Sequence, residues 1–220
     1  MASRVCVFGS INMDVVVRVG RFPGRGETVA GTACDLVPGG KGANQAVAVA
    51  RMAVPVDLVG ALGRDEFGRL LRAYLAASGV NLDAVADVDG PSGTAVVTVD
   101  ANGHNQIVVV QGSNGRIPPE AVTSYWSRQG DSVRYLLSQF EVPIDLVAEA
   151  FAAAKARGAT TVLCPSPMRP LPPSLIAATD LIVLTRWNWP KRPASACPRP
   201  ARRRTWRYGG PGSSAAKRSW

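Results

Sequence analysis

Short apolar runs alternate with amphipathic helical segments along the first 185 residues, and this alternation restricts the fold more than any other feature. Strands separated by helices form parallel sheets, because each helix returns the chain to the same end of the sheet. The sequence therefore predicts an α/β fold with a mostly parallel central sheet covered by helices. The predicted strands are residues 5–9, 56–61, 135–137, 160–163 and 181–183, and the predicted helices are residues 43–52, 67–77 and the segment between Pro143 and Gly158.

Two further pairs of β-branched runs do not fit this alternation. Residues 15–19 and 28–36 flank a turn rich in glycine and proline, and residues 94–99 and 106–110 flank Asn102-Gly103, a dipeptide typical of tight hairpins. We expect a small antiparallel sheet with strands within about residues 14–36 and 93–111. It would stand off the main sheet, in the position of a lid.

The positive charge of the chain lies almost entirely after residue 185. The sequence has 25 basic and 16 acidic residues, a net charge of +9, and ten of the basic residues but none of the acidic ones lie within residues 186–220. The sequence therefore predicts two parts, a nearly neutral domain over residues 1–185 and a basic tail over residues 186–220. The tail is rich in proline, arginine and tryptophan and has no helical or strand period, so it is predicted to be disordered.

Several classes of protein are excluded by what the sequence does not contain. It has no run of about 18 apolar residues that could span a membrane, and the first apolar run is too short for a signal peptide. The four cysteines form no C-x-x-C pair, so reduced thiols in the cytoplasm are expected. The single histidine, His104, leaves little room for a histidine-based metal site.

The segment Gly39-Gly40-Lys41-Gly42-Ala43-Asn44-Gln45-Ala46 is the first candidate binding element. Glycines allow the backbone to approach a ligand, and the helix that follows offers unpaired N–H groups at its N-terminus. Lys41 and Asn44 add a charge and an amide that suit sugar hydroxyls. The spacing is not that of a Walker loop. Taken alone, a glycine turn that caps a helix explains the segment equally well.

Polar residues follow two predicted strands at their carboxyl ends, where ligands of open α/β sheets gather. Asn12 and Asp14 come after the first strand and share a face if the strand continues, whereas an Asx-turn is the structural alternative. Glu141 follows the strand at 135–137, and its structural alternative is a favourable charge at the N-terminus of the next helix.

Taken together, these segments resemble the ribokinase/PfkB family of carbohydrate kinases, over about residues 4–184. The match G-G-K-G-A-N-Q-A at 39–46 is specific, and within the family it is most similar to the ribokinase branch. Four shorter segments support it: G-S-I-N-M-D at 9–14, F-P-G-R-G-E-T at 22–28, G-R-D-E-F-G at 63–68 and Q-G-S-N at 111–114.

The resemblance implies an α/β sandwich with a β-sheet lid over the sugar, and homodimers that form through the lid. It implies transfer of the γ-phosphoryl group of Mg-ATP to the primary hydroxyl of ribose or a similar sugar, with a monovalent cation as activator. Gly63, Asp65 and Gly68 match a family pattern that we interpret as a structural turn before a helix. The implied sugar-binding residues are Asn12, Asp14, Gly40, Lys41, Asn44 and Glu141.

Three parts that the family requires do not occur in this sequence. They are the N-x-x-E motif, a later glycine-rich segment that holds the nucleotide, and the G-x-G-D motif that supplies the aspartate base. Phosphoryl transfer depends on positioning and charge stabilisation, so the chain is expected to lack catalytic residues and to be inactive. The alternative function is that of a non-catalytic, sugar-binding fragment.

The tail has two competing explanations. Restoring one base before codons chosen for residues 185–191 gives N-A-V-E-L-A-E, which contains the absent N-x-x-E, so we expect that the chain is truncated by a frameshift near residue 184. The rival hypothesis is that Arg202-Arg203-Arg204, with Trp206, Arg207 and Tyr208, binds nucleic acid through phosphate contacts and stacking. Nucleic-acid binding is the less favoured of the two.

Overall fold

Strands and helices alternate through most of the chain, in a computed structural model that describes residues 4–129 and 132–184. A short 3₁₀ helix follows the last strand of the second hairpin, at Gly112–Arg116. The other elements, in chain order, are β1 (Arg4–Phe8), β2 (Asn12–Val19), β3 (Gly31–Gly39), α1 (Lys41–Arg51), β4 (Val56–Gly63), α2 (Glu66–Ala77), β5 (Asn81–Val88), β6 (Gly93–Val99), β7 (Asn105–Val110), α3 (Pro119–Gln129), β8 (Val133–Gln139), α4 (Ile144–Lys155), β9 (Thr160–Cys164), α5 (Pro173–Ala177) and β10 (Leu181–Ile182).

The main sheet confirms the predicted α/β architecture. Its strand order in the described residues is β10-β9-β8-β1-β4-β5, and every neighbouring pair is parallel. All eight residues of β4 are buried, as expected for a strand covered by helices on both faces. Three elements, β5, α3 and α5, lie where the sequence analysis assigned none.

Consecutive residues of the central strand β1 contribute to opposite sides of the core, because side chains alternate between the two faces of a strand. Phe8 packs with Tyr125 and Phe151 on the side of α3 and α4. Val7 packs with Leu58 and Leu71 on the side of α1 and α2. The layered core therefore follows from the uninterrupted apolar run that predicted the strand.

The two additional pairs of strands do form one separate small sheet, but its pairing is mixed rather than antiparallel. The strand order is β3-β2-β6-β7, and its two central strands, β2 and β6, are parallel. The reason lies in the main sheet. β2 follows β1, and β6 follows β5. Because β1 and β5 run in the same direction, their carboxyl ends lie on the same side of the main sheet, and the chain enters the small sheet twice in the same direction.

Asp65 fixes one of the connections between the two sheets. Its carboxylate caps α2 by accepting from the Gly68 N–H at 2.8 Å, and it accepts from the N–H and Oγ of Ser92 at 2.9 and 2.6 Å. Ser92 is buried and lies between β5 and β6. This group of contacts, here called the Asp65 clamp, confirms the turn predicted from Gly63, Asp65 and Gly68.

None of the helices in the described residues is both long and apolar enough to cross a membrane. Cys6, Cys34 and Cys164 are free thiols. The tail, with its predicted disorder, frameshift and nucleic-acid binding, lies outside the described residues.

Candidate functional site

Asn12 and Asp14 lie at the start of β2, where the chain leaves the carboxyl end of β1. The strand continues through both residues, so they lie on one face of the small sheet, and the alternative of an Asx-turn is wrong. Glycine at position 39 leaves room for the carboxylate of Asp14, because a Cβ there would lie 2.3 Å from Asp14 Oδ2. Asn12 is buried and Asp14 is partly buried.

Gly40 brings the N-terminus of α1 against the same connection. Its φ angle is +90°, which favours glycine, and a Cβ at this position would lie 2.7 Å from the Asn12 backbone nitrogen. One turn further on, the Ala43 N–H donates to the carbonyl oxygen of Ser10 at 2.9 Å. Gly40 therefore holds Lys41 and Asn44, on the first turn of α1, beside Asn12.

Lys41 and Glu141 form an ion pair in which Lys41 Nζ lies 2.7 Å from Glu141 Oε1. Glu141 Oε2 accepts from Ser10 Oγ at 2.6 Å and from the Lys41 N–H at 3.2 Å. Glu141 thus does place its charge at a helix N-terminus, but the helix is α1 and not α4, which follows it in sequence. Glu141 is nearly buried, whereas the Lys41 side chain is 42% exposed.

The six residues implied by the family resemblance surround one cavity of about 130 Å³. This volume is well above the roughly 10–15 Å³ of accessible space that one water molecule needs, so the cavity has room for a small polar molecule. The opposite wall is apolar and comes from β6 and β7. The lining residues are Asn12, Asp14, Gly40, Lys41, Asn44, Glu141, Ala95, Val97, Ile107 and Val109.

Asp14 has the most unusual electrostatic environment in the cavity. Its Oδ1 is buried and has no hydrogen-bond partner among the described residues. Burial raises the pKa of Asp14, the negative charge of Glu141 raises it further, and the positive charge of Lys41 opposes both effects. The only other buried side-chain atom without a partner in residues 4–129 and 132–184, Gln139 Oε1, belongs to a residue that does not line the cavity.

Sequence reasoning missed two groups around the cavity. Ser10, fully buried, holds Glu141 in place, although it was part of the motif at 9–14. The apolar wall of Val97, Ile107 and Val109 follows from the strand alternation in β6 and β7, but which face of these strands lines the cavity depends on the pairing of distant strands. Only the structure supplies that pairing.

No group of three or more His, Cys, Asp and Glu side chains that could hold a metal ion occurs within the described residues. The motifs that supply the base and the nucleotide contacts are absent from the sequence.

Comparisons with known proteins agree with this architecture. The family model described as "pfkB family carbohydrate kinase" matches residues 2–188. The ribokinase of Bacillus subtilis is 42% identical over 168 residues, which are 76% of this chain and 57% of that protein. The bifunctional ribokinase/ribose-5-phosphate isomerase A of Fructilactobacillus sanfranciscensis is 37% identical over 181 residues, which are 81% of this chain and 33% of that protein.

A solved structure of Arabidopsis thaliana ribokinase complexed with ribose and ATP superimposes with a TM-score of 0.73 at 33% identity, covering 84% of this chain and 60% of that one. The chain thus spans between a third and three fifths of the length of these relatives. The match of the family model over most of the chain, together with these relatives, shows that the chain belongs to the pfkB family of carbohydrate kinases.

Proposed function

We propose that this chain supplies the sugar-binding part of an ATP-dependent sugar kinase, and that its cavity binds ribose or a similar pentose. The observation that carries the proposal is the buried, unpartnered Oδ1 of Asp14 at a small polar cavity. A buried carboxylate oxygen without a partner costs stability, so its retention favours a ligand that supplies the missing donor. Vicinal sugar hydroxyls are donors of the right size.

The remaining cavity residues are proposed to divide the sugar between them. Asp14 accepts from a hydroxyl, while Asn12, Asn44 and Lys41 offer N–H donors. Glu141 holds Lys41 and the first turn of α1 in place and offers a second carboxylate. Gly40 allows the closest backbone approach, and Val97, Ile107 and Val109 cover the C–H face of the sugar from the small sheet.

Transfer of the γ-phosphoryl group of Mg-ATP to the primary hydroxyl is the proposed activity of the whole kinase, with a monovalent cation as activator. No described residue is assigned to Mg-ATP or to the cation. Because the N-x-x-E and G-x-G-D motifs are absent, this chain is predicted to bind sugar without turning over ATP. The alternative function is that of a non-catalytic sugar-binding protein, which has the same cavity and likewise turns over no ATP.

A homodimer through the small sheet is a further proposal. Leu36, Val15, Val96 and Val108 lie directly opposite one another across the four strands and therefore share one face. This is the face away from the cavity, since Asp14 and Val109 belong to the alternate row. Leu36 is 52% and Val108 is 64% exposed. Sedimentation of the full chain tests the proposal, which predicts a dimer that Val108→Lys converts to a monomer.

Calorimetric titration of the full chain with ribose tests the sugar-binding proposal. We expect saturable binding of ribose that weakens at least tenfold in Glu141→Gln, which removes the charge paired with Lys41. Asp89→Asn is the matched control, since this carboxylate is 94% exposed and lies outside the cavity lining. Absence of binding by ribose and by the other pentoses would overturn the proposal.

Release of ADP in the presence of ribose distinguishes a chain that is itself a kinase from a chain that only binds the sugar. The predicted result is no release above the background measured without sugar. Release that is stoichiometric with ribose consumption would show that this chain is itself a kinase, and the prediction of inactivity would then be wrong.

A further inference from the structure

Asn114 belongs to the Q-G-S-N segment at 111–114, which the proposed function leaves without a role. It lies in the short 3₁₀ helix after β7 and is 1% exposed. Its Oδ1 accepts from the Ile11 N–H at 2.9 Å, and its Nδ2 donates to the Ile11 carbonyl oxygen at 3.2 Å and to Asn12 Oδ1 at 2.7 Å.

These contacts determine the orientation of the Asn114 side-chain amide, and through it the orientation of the Asn12 amide. A backbone N–H can only donate and a backbone carbonyl can only accept, so the Asn114 amide satisfies Ile11 in one orientation alone. In that orientation Asn114 Nδ2 points at Asn12, whose contacting atom must then be an acceptor. Asn12 Oδ1 is thereby occupied, and its Nδ2, which makes no hydrogen bond within the described residues, is left for the cavity.

Gly93, the first residue of β6, makes space for this pair. A Cβ at position 93 would lie 2.1 Å from Asn114 Nδ2 and 2.3 Å from Asn12 Oδ1. The contact between the two amides therefore depends on three separate segments: the start of β2, the start of β6 and the 3₁₀ helix.

We infer that Asn114 is a positioning residue that makes Asn12 present N–H donors, and not an acceptor, to the sugar. The inference rests on the proposed function for the identity of the ligand. With Asn114 in place, the cavity offers a donor at Asn12 and an acceptor at Asp14, two residues apart on one face of β2. One hydroxyl can accept from Asn12 while it or its neighbour donates to Asp14, so the pair favours a defined arrangement of hydroxyls.

The variant Asn114→Asp tests the orientation directly. It keeps an oxygen for the Ile11 N–H but replaces the donor that faces Asn12 with an acceptor, so the Asn12 amide should rotate and turn its oxygen towards the cavity. The matched control is Ser113→Ala. Ser113 is equally buried and bonds the Ala61 carbonyl at 2.9 Å, but none of its hydrogen bonds involves Asn12.

The first readout needs no ligand. In ¹⁵N-labelled protein, the side-chain NH₂ signal of Asn12 is identified by its loss in Asn12→Ser, and its exchange with water is measured. We expect fast exchange in the unsubstituted chain and in Ser113→Ala, and a shifted, more slowly exchanging signal in Asn114→Asp. An unchanged Asn12 signal in Asn114→Asp would overturn the inference.

The second readout is ribose affinity by calorimetry. Asn114→Asp should lose about tenfold or more, whereas Ser113→Ala should stay within about threefold, even if both melt at lower temperature. If Asn114→Asp does not fold, Gly93→Ala replaces it, because the added methyl separates the same two amides and leaves both in the chain. Equal affinities in the positioning variants and the control would contradict the inference. Failure of the unsubstituted chain to bind any pentose would contradict the proposed function, and the Asn12 signal would still decide the inference.

Discussion

Asp14, at the start of β2, and Asp65, which binds Ser92 between β5 and β6, are two aspartates beside connections from the main sheet to the small sheet, and their carboxylates have opposite roles. The carboxylate of Asp65 receives all its hydrogen bonds from Gly68 and Ser92. One oxygen of Asp14 is buried and has no partner in the described part of the chain.

Their pKa values reflect this difference. Burial raises the pKa of Asp65, but the hydrogen bonds from Ser92 and Gly68 outweigh this effect and leave the pKa below its ordinary value. Burial also raises the pKa of Asp14, and there the charge of Glu141 adds to the effect. A carboxylate that receives all its hydrogen bonds from the protein stabilises the fold. A carboxylate that is buried without hydrogen-bond donors costs stability, but it can accept hydrogen bonds from a ligand.

The largest predicted effect is the loss of stability in Asp65→Ala. Removal of a helix cap costs about 1 kcal/mol, and leaving the buried groups of Ser92 without an acceptor adds about 1–2 kcal/mol. We expect the free energy of unfolding, measured by urea denaturation, to fall by about 2–3 kcal/mol. Asp89→Ala, which removes an exposed carboxylate paired only with Arg64, should change it by less than about 0.5 kcal/mol. Equal effects of the two substitutions would contradict the structural role of Asp65.

The next effect is on binding and not on stability. Asp14→Asn keeps the size of the side chain but replaces the charged carboxylate that is proposed to accept a hydrogen bond from a sugar hydroxyl. A hydrogen bond to a charged group is worth about 1.5–3 kcal/mol. Ribose affinity should therefore fall by about ten- to a hundredfold in calorimetry. The melting temperature should stay the same or rise slightly, because a buried, unpartnered charge has been removed. A melting temperature lowered as far as in Asp65→Ala would show that Asp14 is also a structural residue.

The smallest predicted effect concerns pH: on acidification, ribose affinity should fall at a higher pH than the stability of the fold. A donor from the sugar favours the ionised form of Asp14, so affinity should fall as the pH drops through its raised pKa, above the ordinary value of 3.8. Asp65 has a lowered pKa in the folded state, so its contribution to stability is fully present above 3.8 and is lost only as the pH falls through that lower value.

Calorimetry and thermal melting between about pH 7 and 3 compare the two groups. Ribose affinity should weaken while the melting temperature is still near its neutral value. Affinity that stays constant until the protein unfolds would contradict the assignment of Asp14.

The sequence predicted those parts of the fold whose signals are local. The apolar run of β1 and the glycine and lysine segment at the start of α1 are sufficient to place both elements, and the Asp65 turn follows from a short motif. β5 was missed because Asp83 and Asp87 interrupt its apolar pattern, as an edge strand tolerates. In α3 the signal was available, since Val122, Tyr125 and Trp126 have helical spacing and are buried.

What the sequence could not predict depends on contacts between distant residues. The parallel pairing of β2 with β6 joins residues about 80 positions apart, and Asn114 meets Asn12 across 102 positions. Neither contact leaves a local pattern. The six candidate sugar-binding residues were assigned from family motifs, and their convergence on one cavity became visible only through the fold.

The central position of β1 has a consequence for the synthesis of this protein. β1 leaves the ribosome before the other described strands, yet it lies between β4 and β8, and β8 begins only at Val133. At a translation rate of about 5–20 residues per second, the roughly 125 residues that separate β1 from β8 take about 6–25 s to appear. During that interval β4 can pair with β1, but the other edge of β1 stays open to incorrect partners. The nascent chain is therefore most exposed to misassembly at the strand on which its sugar-binding residues depend.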